Sequence, residues 1–355
     1  MVVIGAISGQ EIVATPDRLA RAARQAAGWV SLRRKPPAER RVALVLYNYP
    51  PGLGKLGTAA LLDVPASLHA LLGRLSGEGY TVTGAPASPA ELARRIGALE
   101  NHDADLPRLG ARGVPVGDCY ALALADYRRI VPPAAAARVD RYWGSPPGDI
   151  APLGPDAIRI DGFELGNLFV GVQPPMGVPG DPMRLLFEHD FTPHHQYVGF
   201  YRWLREVWRA DAIVHVGMHG TAEWMPGLQL GLTAECWPDV LLGELPNLYL
   251  YPLNNPSEAG IAKRRGYATI VSHAVPPYAR AGLYKQLAQT RAALEAGAAS
   301  ACPELPDLPR GADEPDDSYR ARLSAYLDEL EQRLILDGLH VFGGVPAPER
   351  AAALV

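Results

Sequence analysis

Six consecutive apolar residues, Val42-Ala43-Leu44-Val45-Leu46-Tyr47, set the class of fold open to this chain. A strand with one wet face alternates apolar and polar residues. One that is apolar throughout must be covered on both faces, as in parallel sheets flanked by helices. A glycine-rich loop follows at 50–57, then an amphipathic pattern that predicts a helix over 64–76 ending at Gly77. Tyr80-Thr81-Val82 reads as the next strand and 89–99 as the next helix. Residues 100–160 are less regular and include the turn-rich Trp143-Gly144-Ser145-Pro146-Pro147-Gly148. The alternation then resumes: strands at 167–173 and 212–216 flank a helix over 195–209. A helix over 258–266, a strand over 267–272 and a helix over 281–297 follow. This order predicts an α/β fold of parallel-sheet βαβ units. The expected division is an N-terminal helical remnant (1–40), a first α/β lobe (41–150), a second α/β lobe (151–300) and a linker with a C-terminal helix (301–355). A cleft is expected between the two lobes.

Composition narrows the class further. With 355 residues, 48% of them apolar, the chain is long enough for two cores. A net charge of −4 argues against a nucleic-acid partner. No apolar run approaches the roughly 20 residues that span a bilayer. The apolar Met1 to Ile7 is too short for a secretory leader, and Arg18, Arg21 and Arg24 follow it instead of preceding it. Cys119, Cys236 and Cys302 are scattered and form no C-x-x-C pair, so neither disulfides nor a thiolate zinc site is expected, and a cytoplasmic location is. The acidic, proline-rich 303–317 reads as a linker or exposed loop, with a helix near 318–336 after it.

Gly52-Leu53-Gly54-Lys55-Leu56-Gly57 has the G-x-G-x-x-G spacing of dinucleotide-binding turns. Asn48-Tyr49-Pro50-Pro51 separates it from the strand, and the next expected strand lacks the acidic residue that would hold a ribose. Leu56 also stands where a P-loop needs Ser or Thr. The loop is read as shaping a cleft at the carboxyl end of the sheet, ahead of a nucleotide-dependent oxidoreductase.

The residues with the most chemistry follow the third apolar strand: His215-Val216-Gly217-Met218-His219-Gly220-Thr221-Ala222-Glu223-Trp224-Met225. Open α/β sheets place their ligands there. His215 and His219 could bind a metal or shuttle protons, and Glu223 could bind a hard cation or accept a proton. The spacing is not that of an H-E-x-x-H zinc helix, since Gly217 and Gly220 break the helix. Mg²⁺ prefers oxygen, so Glu223 suits it better than either imidazole. Each imidazole could equally be a hydrogen-bonded core residue. A second cluster is Asn254-Asn255-Pro256-Ser257-Glu258 with Lys263-Arg264-Arg265. Asn255 or Ser257 could cap a helix there, and one or two of the cations could face a cleft or simply be solvated. A third is Gln173-Pro174-Pro175-Met176-Gly177 with Pro193-His194-His195, whose paired histidines could ligate a metal or cap a helix.

These segments resemble the porphyrin-binding large subunit of class I metal chelatases, the family of the magnesium chelatases and cobaltochelatases. HGTAEWMPG (219–227), ECWPD (235–239), LPNLYLYPLNNPSEAGIAKRRGYA (245–268), GVQPPMGVPGDPMRLLF (171–187), LYNYPPGLGKLGTAALLDVPASL (46–68) and GLHVFGG (338–344) occur in the family's order. NNPSEAGIAKRRGYA resembles the magnesium branch, whereas the HVG before the HG motif and Trp224 lean toward cobalt. The resemblance implies insertion of Mg²⁺, or alternatively Co²⁺, as substrate metal into protoporphyrin IX or a related tetrapyrrole. It also implies partners: an AAA+ ATPase subunit and a bridging subunit, which use the ATP. Glu223, His219 and His215 are the implied catalytic residues, with Glu223 and His219 on the metal. Trp224, Met225 and Tyr249 are implied as walls for the macrocycle, Lys263, Arg264 and Arg265 as cations for its acidic groups, and Glu258, Gln173, His194 and His195 as further contacts. Leu228 departs from the family, where lysine is usual. The family's large subunit is far longer, so the chain corresponds to a fragment or a non-catalytic tetrapyrrole-binding piece. The loop past residue 216 is expected to line a hollow that admits a flat macrocycle.

Overall fold

The computed structural model describes residues 5–8, 11–47, 62–100, 118–150, 153–178, 184, 191–217, 220–252, 255–273, 294, 315–325 and 340–344. The chain forms two compact units, one of residues 1–60, 64–274 and 341–343, the other of 61–63, 275–340 and 344–355. In the second, residues 316–325 are helical and bury Tyr319 and Leu323, and Leu62 bridges to His340.

The first unit opens with an antiparallel hairpin, β1 (Gly5–Ser8) and β2 (Glu11–Ala14), and helix α1 (Pro16–Arg34). Its centre is a seven-stranded sheet: β3 (Val42–Leu46), β4 (Cys119–Ala123), β5 (Ala157–Leu165), β6 (Leu168–Val172), β7 (Ala212–Val216), β8 (Asn247–Pro252) and β9 (Thr269–His273). The spatial order is β4-β5-β6-β3-β7-β8-β9. Only β5 runs against the rest, through the tight β5–β6 hairpin. β6, β3, β7, β8 and β9 are all parallel, so their carboxyl ends share one edge.

The apolar run at 42–46 becomes the middle strand, with every residue buried. Ala43 and Val45 face the cluster of Phe169, Ile213, Tyr201 and Trp237, while Val42, Leu44 and Leu46 are covered on the opposite face. Among the helices are α2 (Val64–Gly77), α3 (Pro89–Glu100), α4 (Leu124–Ile130), α5 (Pro133–Trp143), α6 (His195–Glu206), α7 (Trp237–Leu242) and α8 (Pro256–Arg265). α6 packs on β5, and α7 and α8 both pack on a short 3₁₀ turn, Ala222–Trp224.

The α/β class and the parallel sheet follow the sequence reading; the division into lobes does not. β3 lies between β6 and β7, so residues on both sides of 150 share one sheet. The reason is elementary: a strand apolar on both faces has two edges, and both are paired. The strand expected at 80–82 stays outside the sheet. Thr81 instead accepts from the Asn167 N–H at 2.9 Å and donates its hydroxyl to the Ala38 carbonyl at 2.7 Å. The sheet's edge strand comes from 119–123, inside the stretch that looked irregular. The glycine loop at 52–57 lies outside the described residues, as does the helix expected at 281–297 apart from Leu294, which is helical, and nearly all of 303–317. No helix among the described residues is long and apolar enough to cross a membrane.

Helix α1 is held by charge. Arg18 Nη1 lies 2.6 Å and Arg21 Nη2 3.2 Å from the Asp239 carboxylate, and all three side chains are almost fully buried. Removing the carboxylate would strand two guanidinium groups away from water. Asp239→Asn is expected to cost about 3–5 kcal/mol of unfolding free energy. Urea denaturation would measure this, and an unchanged midpoint would show that α1 does not depend on the pair.

Candidate functional site

The carboxyl edge of the sheet gathers polar side chains that are nearly all dry. Gln173 ends β6, His215 lies near the end of β7, Thr221 and Glu223 lie in the loop after β7, and Asn247 and Tyr249 belong to β8. Each of these side chains is at most 3% exposed. Tyr197 and Tyr201, one helical turn apart on α6, complete the group and are also buried.

The hydrogen bonds orient each member. Gln173 Nε2 donates to Thr221 Oγ1 at 2.7 Å, and its Oε1 accepts from the Thr221 N–H at 3.1 Å and the Tyr201 hydroxyl at 2.7 Å. Tyr197 Oη lies 2.6 Å from Thr221 Oγ1. Asn247 Nδ2 donates to the Gly266 carbonyl at 2.8 Å, which turns its Oδ1 toward His215 Nδ1 at 3.0 Å. His215 Nδ1 therefore carries a proton, and Nε2 faces Tyr201 Oη at 3.0 Å. The imidazole also lies against the Tyr249 ring, centroids 4.4 Å apart. Gly220 has no room for a side chain: a Cβ there would come within 2.6 Å of Tyr249 Oη and 2.7 Å of His215 Cδ2.

Glu223 is the exceptional member. Its side chain is buried, Oε2 accepts from the Tyr249 hydroxyl at 2.5 Å, and Oε1 has no hydrogen-bond partner. Burial pushes its pKa up to about 8, against the opposing effects of the Tyr249 hydrogen bond and the Arg265 charge. The carboxyl is thus largely protonated at neutral pH. It can bind a cation or take up a proton only after losing the one it holds.

Arg265 builds the loop that carries Glu223. The residue as a whole is 2% exposed. Nε donates to the Glu223 carbonyl at 2.7 Å, Nη2 to Met225 O at 2.5 Å, and Nη1 to Gly227 O at 3.1 Å and Leu228 O at 2.5 Å. The cation expected to meet a substrate's acidic groups is therefore taken up by backbone carbonyls. Of the other two, Lys263 is exposed and Arg264 half-buried. Asn255 caps α8, accepting from the Glu258 N–H at 3.4 Å, and Glu258 accepts from the Tyr251 hydroxyl at 2.6 Å.

The paired histidines are structural. His194 Nδ1 accepts from the Tyr197 N–H at 3.2 Å as the cap of α6, and its Nε2 donates to the Pro175 carbonyl at 2.9 Å. Burial pushes its pKa down to about 4. His195 Nε2 donates to the Gly144 carbonyl at 2.8 Å and Nδ1 accepts from Tyr127 at 2.9 Å; burial lowers its pKa as well. Neither ring has a nitrogen left for a ligand. The expected walls also change role: Met225 is fully buried in the core, Tyr249 holds the carboxyl, and only Trp224 is half-buried. His215 and Glu223 are packed among side chains instead of lining an open hollow. His219 lies outside the described residues. Among the described residues no cluster of three or more His, Cys, Asp or Glu side chains is placed to hold a metal ion. Sequence reasoning missed Tyr197, Tyr201, Thr221 and Asn247. Two tyrosines four residues apart on the inward face of a helix were the available signal.

A mostly parallel sheet with a dry, protonated carboxyl at the carboxyl ends of its strands defines an α/β protein that keeps Glu223 away from bulk water. The sequence matches the CobN/Magnesium Chelatase family over residues 2–355, and the chain belongs to that family. The magnesium-chelatase H protein of Chlorobaculum parvum is 46% identical over 96% of this chain and 28% of its own length. Aerobic cobaltochelatase subunit CobN of Pseudomonas aeruginosa is 40% identical over 94% of this chain and 28% of its own. The solved catalytic subunit of cobaltochelatase from Mycobacterium tuberculosis superposes with a TM-score of 0.61 at 31% identity, covering 99% of this chain and 29% of that one. The chain therefore spans little more than a quarter of these relatives.

The Glu223 shift has a stability consequence. Below the ordinary carboxylate pKa, 4.5, folded and unfolded chains both carry the proton and nothing is lost. Between there and about 8 the unfolded chain ionises first, so stability falls as pH rises, then levels off. Glu223→Gln keeps the shape and does not titrate. Its stability relative to the parent is expected to rise from near zero at pH 4 to about 3–5 kcal/mol at pH 8. Thermal melts across that range would test it, and a pH-independent difference would contradict the buried, protonated assignment.

Proposed function

We propose that this chain is the part of a chelatase large subunit that takes up a proton, and receives the incoming metal, during ATP-dependent insertion of Mg²⁺ into protoporphyrin IX. One observation carries the reading: Glu223 is buried at the carboxyl edge with one oxygen fixed by Tyr249 and the other without a partner. Metal insertion replaces two pyrrole N–H protons with one divalent cation. A dry carboxylate held by a single donor suits either task, as a base for N–H or as an oxygen ligand for Mg²⁺.

In this proposal the tetrapyrrole lies over the edge where the parallel strands end, and Glu223 acts once ionised. Tyr249 holds the carboxyl's direction through Oε2, leaving Oε1 to accept the proton or the cation. The Arg265 clamp fixes the 223–228 loop, and the Gln173–Thr221–Tyr197 bonds fix its beginning. His219 is retained as second metal ligand, and Trp224 as a contact for the macrocycle. Lys263 and Arg264, not Arg265, meet its acidic groups. Partner subunits of AAA+ type would hydrolyse the ATP. The identity with CobN proteins supports a second reading, Co²⁺ insertion into a corrin precursor. The span of about 28% of the relatives supports a third, a tetrapyrrole-binding piece without catalysis.

Mixing the chain with protoporphyrin IX is expected to quench and red-shift the porphyrin emission. With the ATPase partners, ATP and either Mg²⁺ or Co²⁺, the absorbance of the metallated product should grow, faster with Mg²⁺, and its rate should rise with pH toward a plateau above about 8. Glu223→Gln is expected to bind porphyrin within about twofold of the parent and to insert metal at least 100-fold more slowly, the size of a lost proton-transfer group. Full insertion by that variant would remove Glu223 from the chemistry. Binding without insertion by the parent would favour the non-catalytic reading.

A further inference from the structure

Two non-glycine residues among those described have left-handed backbone, Arg209 (φ 57°) and Tyr267 (φ 52°). Arg209 is exposed just past α6, whereas Tyr267 is half-buried and follows the last turn of α8. A large side chain is strained in that region, and a left-handed residue closing a helix is ordinarily glycine or asparagine. The glycine of this turn stands one position earlier, at Gly266, with a φ of −100°. It is there for space: a Cβ would come within 2.9 Å of the Ala262 carbonyl oxygen, 3.3 Å of Asn247 Nδ2 and 3.6 Å of Glu223 Cβ. The strain therefore falls on a tyrosine, and the surroundings of its side chain offset it. The Arg21 guanidinium lies over its ring, 5.1 Å from the centroid. Burial and the nearby Asp239 charge push the hydroxyl's pKa up to about 12. Tyr267 is thus held in place from α1 and α7. A residue strained in this way persists only where its surroundings over-determine it, and such residues collect at functional sites.

We propose that Tyr267 is a positioning residue for Glu223: anchored by Arg21 and Asp239, it fixes the Gly266–Tyr267 peptide and, through that peptide, two supports of the carboxyl. The proposal rests on the reading of Glu223 as the reacting group. The first support is backbone. The Gly266 and Ala268 N–H groups both donate to the Ala262 carbonyl, at 2.8 and 3.2 Å, with the left-handed residue between them. This closure of α8 sets Gly266 behind Glu223 Cβ and keeps Arg265 within reach of the Glu223 carbonyl. The second support is the Gly266 carbonyl, whose direction is set by the two soft torsions flanking its peptide, ψ of Gly266 and φ of Tyr267. In the direction it takes, it accepts from Asn247 Nδ2 at 2.8 Å. Asn247 Oδ1 in turn accepts from His215 Nδ1 at 3.0 Å, and the His215 ring lies 4.4 Å from the ring of Tyr249, which donates to Glu223. With Tyr267 at negative φ the carbonyl would swing off Asn247, and Gly266 would leave the back of Glu223.

Tyr267→Gly accepts the same backbone without strain but loses the anchor, whereas Tyr267→Phe keeps the ring under Arg21. In the full chain, amide hydrogen exchange followed by mass spectrometry is expected to speed up about tenfold over 222–228 in the glycine variant and to stay unchanged over 195–206. With the ATPase partners, ATP and Mg²⁺, its kcat for insertion into protoporphyrin IX is expected to fall about 10- to 100-fold, the scale of a misplaced reacting group, while KM for the porphyrin stays within about twofold. Tyr267→Phe should recover the parent exchange pattern and bring kcat back to within about threefold, since the cation still has its ring. Should the glycine chain prove too unstable to assay, Tyr267→Asn, which also accepts left-handed backbone, gives the same reading. Exchange over 222–228 that does not change when the ring is removed overturns the inference, whatever Glu223 does. A loss expressed in KM with kcat intact overturns it as well. Full insertion by Glu223→Gln would instead remove the reading of Glu223, and the exchange pattern would still decide whether Tyr267 holds its loop.

Discussion

Charge kept away from water must be met by something, and at the carboxyl edge that requirement organises everything else. Arg265 is buried with no ion-paired carboxylate among the described residues, and the loop from Glu223 to Leu228 presents four carbonyl oxygens to it. Burial lowers its pKa, yet an arginine remains charged across the accessible range. The loop's path is thus dictated by the fork geometry of one side chain from α8. That path leaves the Glu223 side chain facing Tyr249, in a place dry enough to hold a proton at neutral pH.

In the proposed function a carboxyl in that condition exchanges its proton for a cation. At rest it is neutral and adds no charge to a desolvated site. Once ionised it becomes a strong base and a hard ligand, with one oxygen already positioned by Tyr249. Of the surrounding polar side chains Tyr249 holds the carboxyl directly, while the amides, the Thr221 hydroxyl and the His215 imidazole bond to one another and to Tyr197 and Tyr201. This division of labour fits the chain's place in the CobN/magnesium chelatase family. It also explains why the other conspicuous histidines, His194 and His195, serve as a cap and a loop anchor: each has both ring nitrogens engaged.

The far side of the unit follows the same rule with opposite signs. Arg18 and Arg21 are buried because Asp239 meets them, and the inversion of α1 follows: once charge occupies the inner stripe, the apolar residues have only the outer face left. Hydrophobic patterning read alone would have docked the helix the other way round.

Several features were determined by the sequence. Val42 to Leu46 could only be an interior strand, and the apolar runs at 167–173 and 212–216 could only join it in a parallel sheet, because such segments leave no face for water. The loop after residue 216 was likewise legible as a place where polar side chains gather, since such residues collect at strand carboxyl ends in open α/β sheets. Which polar residue does what was settled only by the tertiary structure. The role of a histidine or arginine depends on what lies within 3 Å of its nitrogens, and those partners come from strands and helices far away in the chain: Pro175 and Gly144 for the paired histidines, Asn247 and Tyr201 for His215, the 223–228 carbonyls for Arg265. Local pattern fixes burial and periodicity. Long-range hydrogen bonding and desolvation, which set pKa and orientation, exist only once the sheet has brought those partners together.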